Sequence, residues 1–335
     1  MTVSDLGEFG LIDRLAKAVG AQRSPDLILG IGDDAAAWRF GDSVLLATTD
    51  TLVEGVHFLP SLTPYRDLGW KALAVNVSDI AAMGGEPLFA LVTLTLPPET
   101  PVSAVDDLYA GLNECAAEYA VTIGGGDVVR APQLAITIAL LGRASLGPDG
   151  APRLLRRDAA RPGQAVAVTG TLGDSAAGLR RLREGATPDD PLVRAHLHPH
   201  PLLAVAREAA ALSIPCGIDI SDGLLADLGH VCEMSGVSAG LEAARIPLSD
   251  ALRAAYPDDA LALACSGGED YQLLLAGPPD LIDRLSASHP LAVIGRITDD
   301  PARRVRLLDA SGREIALPAA GWDHLRRSRP SGRTP

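Results

Sequence analysis

Short apolar runs alternate along this chain with longer stretches in which apolar residues recur every third or fourth position. The runs at 44–48, 88–96, 134–141, 165–169, 271–275 and 291–297 have the length of strands. Residues 68–83, 103–119, 174–183, 201–212 and 222–234 carry the helical period between them. This mixed alternation predicts an α/β or α+β protein. The stretch 68–83 is apolar almost all round, which predicts a helix buried on every side. Residues 147–163 read GPDGAPRLLRRDAARPG and lie between two apolar strands. Their Gly, Pro and Arg content places a domain boundary near residue 150. The division is then 1–150, 151–325 and an Arg-rich tail, 326–335, that reads as disordered.

Length agrees with that division, since 335 residues are natural for two domains. No apolar run approaches the roughly 18 residues a membrane helix needs, so no membrane partner is expected. The first ten residues carry Asp5 and Glu8 and no basic-then-apolar block, so no secretory signal is read there. Cys115, Cys216, Cys232 and Cys265 form no C-x-x-C pair. They read as scattered buried thiols of a cytoplasmic protein. The formal net charge of −13 and the lack of a basic stripe argue against a nucleic-acid partner. Lysine occurs only as Lys17 and Lys71, and aromatic residues make up 4%.

The acidic residues come in small clusters beside glycines and hydroxyls. GIGDDAA at 30–36 follows an apolar Leu27-Ile-Leu and formally matches a dinucleotide fingerprint. That reading fails because Gly41 and a new strand at Val44 leave no room for the helix it needs. Asp33 and Asp34 would also repel a pyrophosphate. A cation site and a polar turn remain equally open for this motif. TTDTLVEGVHF at 48–58 ends an apolar strand with hard oxygen ligands, and His57 is placed to touch a phosphate or ring. In KALAVNVSDIAAMGGEP at 71–87, Asn76 and Asp79 share a helix face, as do Lys71, Val75 and Asp79. Asp79 inside an apolar helix needs either a metal or an ion pair with Lys71, and metal is favoured because the other aspartate clusters need a common purpose. GGGD at 124–127 would stand alone as a tight turn, or as a glycine-lined approach to phosphate. IDISDGLLADLGH at 218–230 offers Ser221 or Asp222 as a helix cap, yet sets two carboxylates around one serine. SGGEDY at 266–271 enters another apolar strand. A P-loop and an H-E-x-x-H motif are both missing, and GVSAG at 236–240 follows a helix rather than a strand.

Clusters of aspartate suit phosphoryl transfer through bound cations. Two unit charges about 4 Å apart repel by roughly 4 kcal/mol at an effective dielectric near 20. P-loop enzymes relieve such repulsion with lysine, which this chain nearly lacks. Aspartates can instead hold several Mg²⁺ ions that bridge to phosphate oxygens.

GIGDDAA, TTDTLVEGVHF, KALAVNVSDIAAMGGEP, GGGD, TGTLGDSAAGL, IDISDGLLADLGH and SGGEDYQLL occur in that order. Together they resemble the thiamine-monophosphate kinase family, of the aminoimidazole ribonucleotide synthetase-like superfamily. The likeness runs from Gly7-Glu-Phe to Gly321-Trp-Asp-His. It implies a two-domain fold, with an N-terminal α+β domain that dimerises through its mixed sheet and a C-terminal α/β domain. It also implies transfer of the ATP γ-phosphoryl group onto thiamine phosphate by a homodimer, with several Mg²⁺ ions and no acid or base residue. By motif match, Asp34, Thr48, Thr49, Asp50, Asp79, Asp127, Asp219 and Asp222 would hold Mg²⁺. Tyr109, Gly126, Asp127, Arg157 and Ser221 would meet ATP. His57, Glu269 and Trp322 would meet thiamine phosphate. GGGD carries one glycine more than the family's usual GGD, and Tyr109 and Arg157 lie outside the tight motifs. The alternative is a synthetase or maturation enzyme of the same fold with another acceptor, against which SGGEDY and GWDH argue.

Overall fold

The structure is a computed structural model that describes residues 2–20 and 24–317. Two sheets organise it. The first holds β1 (Leu27–Leu29), β2 (Ala36–Phe40), β3 (Ser43–Val53), β4 (Glu86–Leu96), β5 (Thr122–Arg130), β6 (Ala135–Leu146) and β7 (Pro152–Arg153). Their spatial order is β1-β2-β3-β6-β4-β5, with β7 on β6. Every pair is antiparallel except β4 with β5. The second holds β8 (Ala165–Thr169), β9 (Cys216–Asp219), β10 (Ser238–Glu242), β11 (Leu273–Gly277), β12 (Leu291–Thr298) and β13 (Val305–Leu308), in the order β13-β10-β12-β8-β11-β9. Helices segregate to faces of these sheets, giving an α+β chain of two domains.

One helix links the two. In α2 (Tyr65–Ala82) nearly every residue from Leu68 to Ala82 is buried, including the polar Lys71, Asn76 and Ser78. Leu73 and Ile80 are fully buried, each contributing about 1.5–3 kcal/mol. One side of α2 meets the inward residues of β3, such as Val44 and Leu46, in the first core. Another side meets α3 (Val102–Glu118), where Gly69 and Gly111 bring the two backbones together. A Cβ on Gly69 would lie 1.9 Å from Leu108 O, and one on Gly111 would lie 1.8 Å from Arg66 O. Ala81 and Ala82 enter a core shared with β8, β11 and α6 (Leu203–Ala211) of the second domain. The helix is apolar all round because it has no solvent side.

GGGD differs from the turn its composition suggests. It lies within β5, an edge strand paired to β4 with Asp127 opposite Thr93. The glycines serve a close approach, since a Cβ on Gly126 would fall 1.7 Å from Val92 O. The N-terminal helix α1 (Val3–Val19) is broken by Gly7 at φ 70, which hid it from the helical period.

Candidate active site

The site assembles where β3, α2 and β9 meet between the domains. Alternation along β3 turns Val44, Leu46, Thr48 and Asp50 toward α2, and Thr49 and Thr51 to the outer face. Thr48 Oγ1 donates to Asp79 Oδ2 at 2.5 Å, and Asp50 N–H donates to Asn76 Oδ1 at 3.1 Å. From the second domain, Asp219 at the end of β9 accepts from Ser78 Oγ at 2.5 Å. Asp34 arrives on the loop before β2. Carboxylate oxygens of Asp34, Asp79 and Asp219 all lie within 4.8 Å of one another.

Such crowding is electrostatically unfavourable for the bare protein. Burial pushes the Asp79 carboxyl well above its usual range, and Asp50, Asp219 and Asp34 push it further. Asp219 is raised by burial and by Asp34, against the opposing pull of Ser78 and Arg157. Asp33 rises to about 7 through burial and its neighbour Asp34. Arg157, in a short 3-10 helix at Arg157–Ala159, makes a two-pronged ion pair with Asp34. Its backbone N–H donates to Asp33 at 3.3 Å. One guanidinium thus acts on three carboxylates, Asp34 first, then Asp219 and Asp33.

A cleft of about 430 Å³ opens beside this cluster. Asp50, His57, Asp79, Asp219, Ser221, Asp222, Glu269 and Tyr271 are among its lining residues, with Glu8 and Arg183 at its margins. His57 Nδ1 accepts the Val53 N–H at 3.0 Å, which puts the ring proton on Nε2. Neither Ser221 nor Asp222 caps the helix that follows, α7 (Leu224–Ser235). Asp227 reaches back instead, its Oδ2 accepting from the N–H groups of Ser221, Asp222 and Gly223 at 3.0–3.2 Å. A buried carboxylate collects three orphan N–H groups better than a short hydroxyl can. Lys71 does not pair with Asp79. Its Nζ is 2.8 Å from Glu269 Oε1, because the second domain's loop lies nearer than Asp79, which is more than two helical turns away along α2.

The expected site residues therefore fall into three groups. Asp50, Asp79, Asp219, Asp222, Ser221, His57 and Glu269 line the cleft, while Asp34, Thr48 and Arg157 stand on or behind its aspartate cluster. Thr49 is exposed on the outer sheet face, and Tyr109, Gly126 and Asp127 lie on α3 and β5, outside the cleft lining. Trp322 and the 326–335 tail lie outside the described residues. Ser78 and Asp227, which sequence reasoning left without a role, support the site from behind. The signal for Asp227 was an acidic residue in the first turn of a helix.

Two domains closing on an aspartate-walled cleft define a class of protein. Residues 32–144 match the AIR synthase related protein, N-terminal domain, and residues 161–307 match the AIR synthase related protein, C-terminal domain. The thiamine-monophosphate kinase of Escherichia coli (strain K12) is 40% identical over 95% of this chain and 98% of its own. That of Aquifex aeolicus (strain VF5) is 37% identical over 97% and 100%. Among solved structures, AaThiL complexed with AMPPCP and TMP has a TM-score of 0.85 at 35% identity, over 97% of this chain and 99% of that one. The chain belongs to the thiamine-monophosphate kinase family of enzymes.

Proposed function

We propose that this chain transfers the γ-phosphoryl group of ATP directly onto the phosphate of thiamine phosphate, yielding thiamine diphosphate and ADP. The observation that carries this reading is the meeting of Asp34, Asp79 and Asp219 on the wall of an interdomain cleft. Hard carboxylate oxygens with surplus negative charge fit Mg²⁺. The residues that would hold it at this cleft are Asp34, Thr48, Asp50, Asp79, Asp219 and Asp222; Thr49 and Asp127, also expected from the motifs, lie on the outer face of the first sheet, away from these carboxylates. Bound there, Mg²⁺ supplies charge neutralisation between two polyanions. The chain's own residues bind and orient the reactants. Arg157 and Ser221 would meet ATP here, whereas Tyr109, Gly126 and Asp127, also expected to meet it, lie on α3 and β5 outside the cleft lining; His57, Glu269 and Trp322 would meet thiamine phosphate. A phosphate monoester, with its second pKa about 6, already presents an ionised nucleophile at neutral pH. No base is needed, and positioning for in-line attack is the protein's task.

The same reading makes the enzyme a homodimer through the outer face of its first sheet. Phe89, Leu91 and Val129 there are 41%, 43% and 44% exposed. These residues point outward with Thr93 and Asp127. Leu91→Glu should convert dimer to monomer in sedimentation, and an unchanged mass would remove that face from the interface.

The decisive test is ADP release, coupled to an absorbance readout, with thiamine phosphate as acceptor and unphosphorylated thiamine as control. Turnover with thiamine phosphate alone is expected. Failure with both, alongside turnover on another acceptor, would favour the synthetase or maturation chemistry of the wider fold.

A further inference from the structure

Behind Glu269 lies a set of buried polar groups to which the proposed reaction gives no role. Lys71, from α2 of the first domain, is 4% exposed at its side chain, and its Nζ lies 2.8 Å from Glu269 Oε1 of the second domain. Glu269 Oε2 lies 3.5 Å from His196 Nδ1, on α5 (Pro191–Leu197), and Ser175 Oγ lies 3.0 Å from the same nitrogen. His196 is buried, and burial together with Lys71 pushes its pKa down to about 3. The imidazole is neutral at pH 7, so Lys71 brings the formal positive charge to this carboxylate. Burial alone would raise the Glu269 carboxyl; the Lys71 ammonium and its hydrogen bond, with smaller pulls from His196 and His57, together outweigh it and leave the group below the usual glutamate range.

The loop that carries Glu269 is held in an unusual shape. Glu269 and Tyr271 have φ of +66° and +49°, a region bulky L-residues rarely enter. Backbone bonds hold them there: Glu269 N–H donates to Ser221 O at 2.7 Å, and Tyr271 N–H to Ile220 O at 2.9 Å. Asp270, between them, accepts from Gly173 N–H and Ser175 N–H at 2.7 and 3.2 Å. The result turns the Glu269 side chain into the cleft, where it remains 28% exposed. An anionic acceptor at this end of the cleft repels phosphate and suits a cationic or N–H-donating heterocycle.

We propose that Lys71 is a positioning residue for acceptor recognition: it reaches across the domain boundary to hold the Glu269 carboxylate in place and aimed into the cleft. The acceptor subsite is then complete only when the two domains are docked. This rests on the reading that Glu269 meets the organic end of thiamine phosphate.

The test is steady-state kinetics on the full chain, varying ATP and thiamine phosphate separately, for Lys71→Met, Lys71→Arg, Lys71→Gln, Glu269→Gln and the Lys71→Met/Glu269→Gln double variant. Lys71→Met should raise KM for thiamine phosphate by about 10-fold or more, with kcat and the ATP KM within about threefold. Lys71→Arg should recover most of that loss. The double variant should be no worse than Lys71→Met, since both changes act through one carboxylate. Independent, multiplying effects would overturn the proposal, as would equal damage to both substrates. If Lys71→Met does not fold, Lys71→Gln decides: a rise confined to thiamine phosphate supports the proposal, and an equal rise for ATP refutes it. Glu269→Gln separates the two layers. If it leaves the thiamine phosphate KM unchanged, the Glu269 reading itself fails. If it raises that KM and the Lys71 variants do not, only the role of Lys71 fails.

Discussion

Asp219 and Glu269 are acids on the walls of one cleft, and their surroundings move them in opposite directions. Asp219 is buried among Asp34, Asp50 and Asp79, and its carboxyl is raised. Glu269 meets a buried lysine, and its carboxyl is lowered. The difference lies in who supplies the cation. At the aspartate end the chain provides one guanidinium, committed chiefly to Asp34, and leaves the remaining charge for something from solution to neutralise. At the glutamate end the chain provides its own ammonium, fixed within the fold. On the proposed function, the acids pushed up by their fellows are the ones that hold a mobile cation, and the acid held down by a built-in lysine is the fixed recognition group.

The comparison breaks most easily at the aspartate end, where the largest effect is expected. Asp79→Asn or Asp219→Asn should cut kcat by at least ~10²-fold, the scale of removing one preorganised electrostatic group. Neither should lower the melting temperature of the metal-free protein, because each relieves like-charge crowding. Near-normal turnover in either variant would show that these carboxylates do not serve the reaction. Next in size is the response to metal. Mg²⁺ at about 100 times its Kd should stabilise the wild-type chain by roughly 2–3 kcal/mol in thermal or denaturant unfolding. Asp219→Asn should lose this increment and Glu269→Gln should keep it. If both variants lose it, the two ends are one electrostatic unit and do not differ in who supplies the cation.

Much of this contrast could be read before the fold was seen, and the unread part has a common cause. Strand 165–169 and helix 174–183 coincide with β8 and with α4 (Asp174–Arg183), since apolar period and turn residues agree there. The burial of α2 was legible because a helix without a polar stripe has no solvent side. β5 was not, because its glycines answer to the backbone of Val92, a contact made only in the sheet. Asp34, Asp79 and Asp219 stood out as candidates through their motifs, but their meeting depends on how the domains dock. The partner of Lys71 was not legible for the same reason: helical spacing offered only Asp79, where metal is favoured over an ion pair, and docking supplied Glu269. Local chemistry is written locally, and pairing across the domain boundary is not.

The smallest effects concern pH, where the two ends should differ in sign. Asp33, raised to about 7 by burial and Asp34, binds a proton in the folded chain over a range where the unfolded chain does not. Stability of the metal-free protein from this group should therefore fall as pH rises from about 4 to about 7, then level off. Asp219 acts in the same direction. His196 works the other way. Its pKa is pushed down to about 3, so below pH 6.5 the unfolded chain takes up a proton that the folded chain refuses. Its contribution is lost as pH falls from about 6.5 toward 3 and is flat above that range. Between pH 7 and 8 the imidazole should thus contribute no pH dependence, and its ring carbon and nitrogen shifts in NMR spectra should stay constant from pH 5 to 8. Titration of His196 near pH 6–7 would place a second, switchable cation against Glu269. The glutamate end would then respond to proton concentration much as the aspartate end responds to metal, and Lys71 would no longer be what distinguishes them.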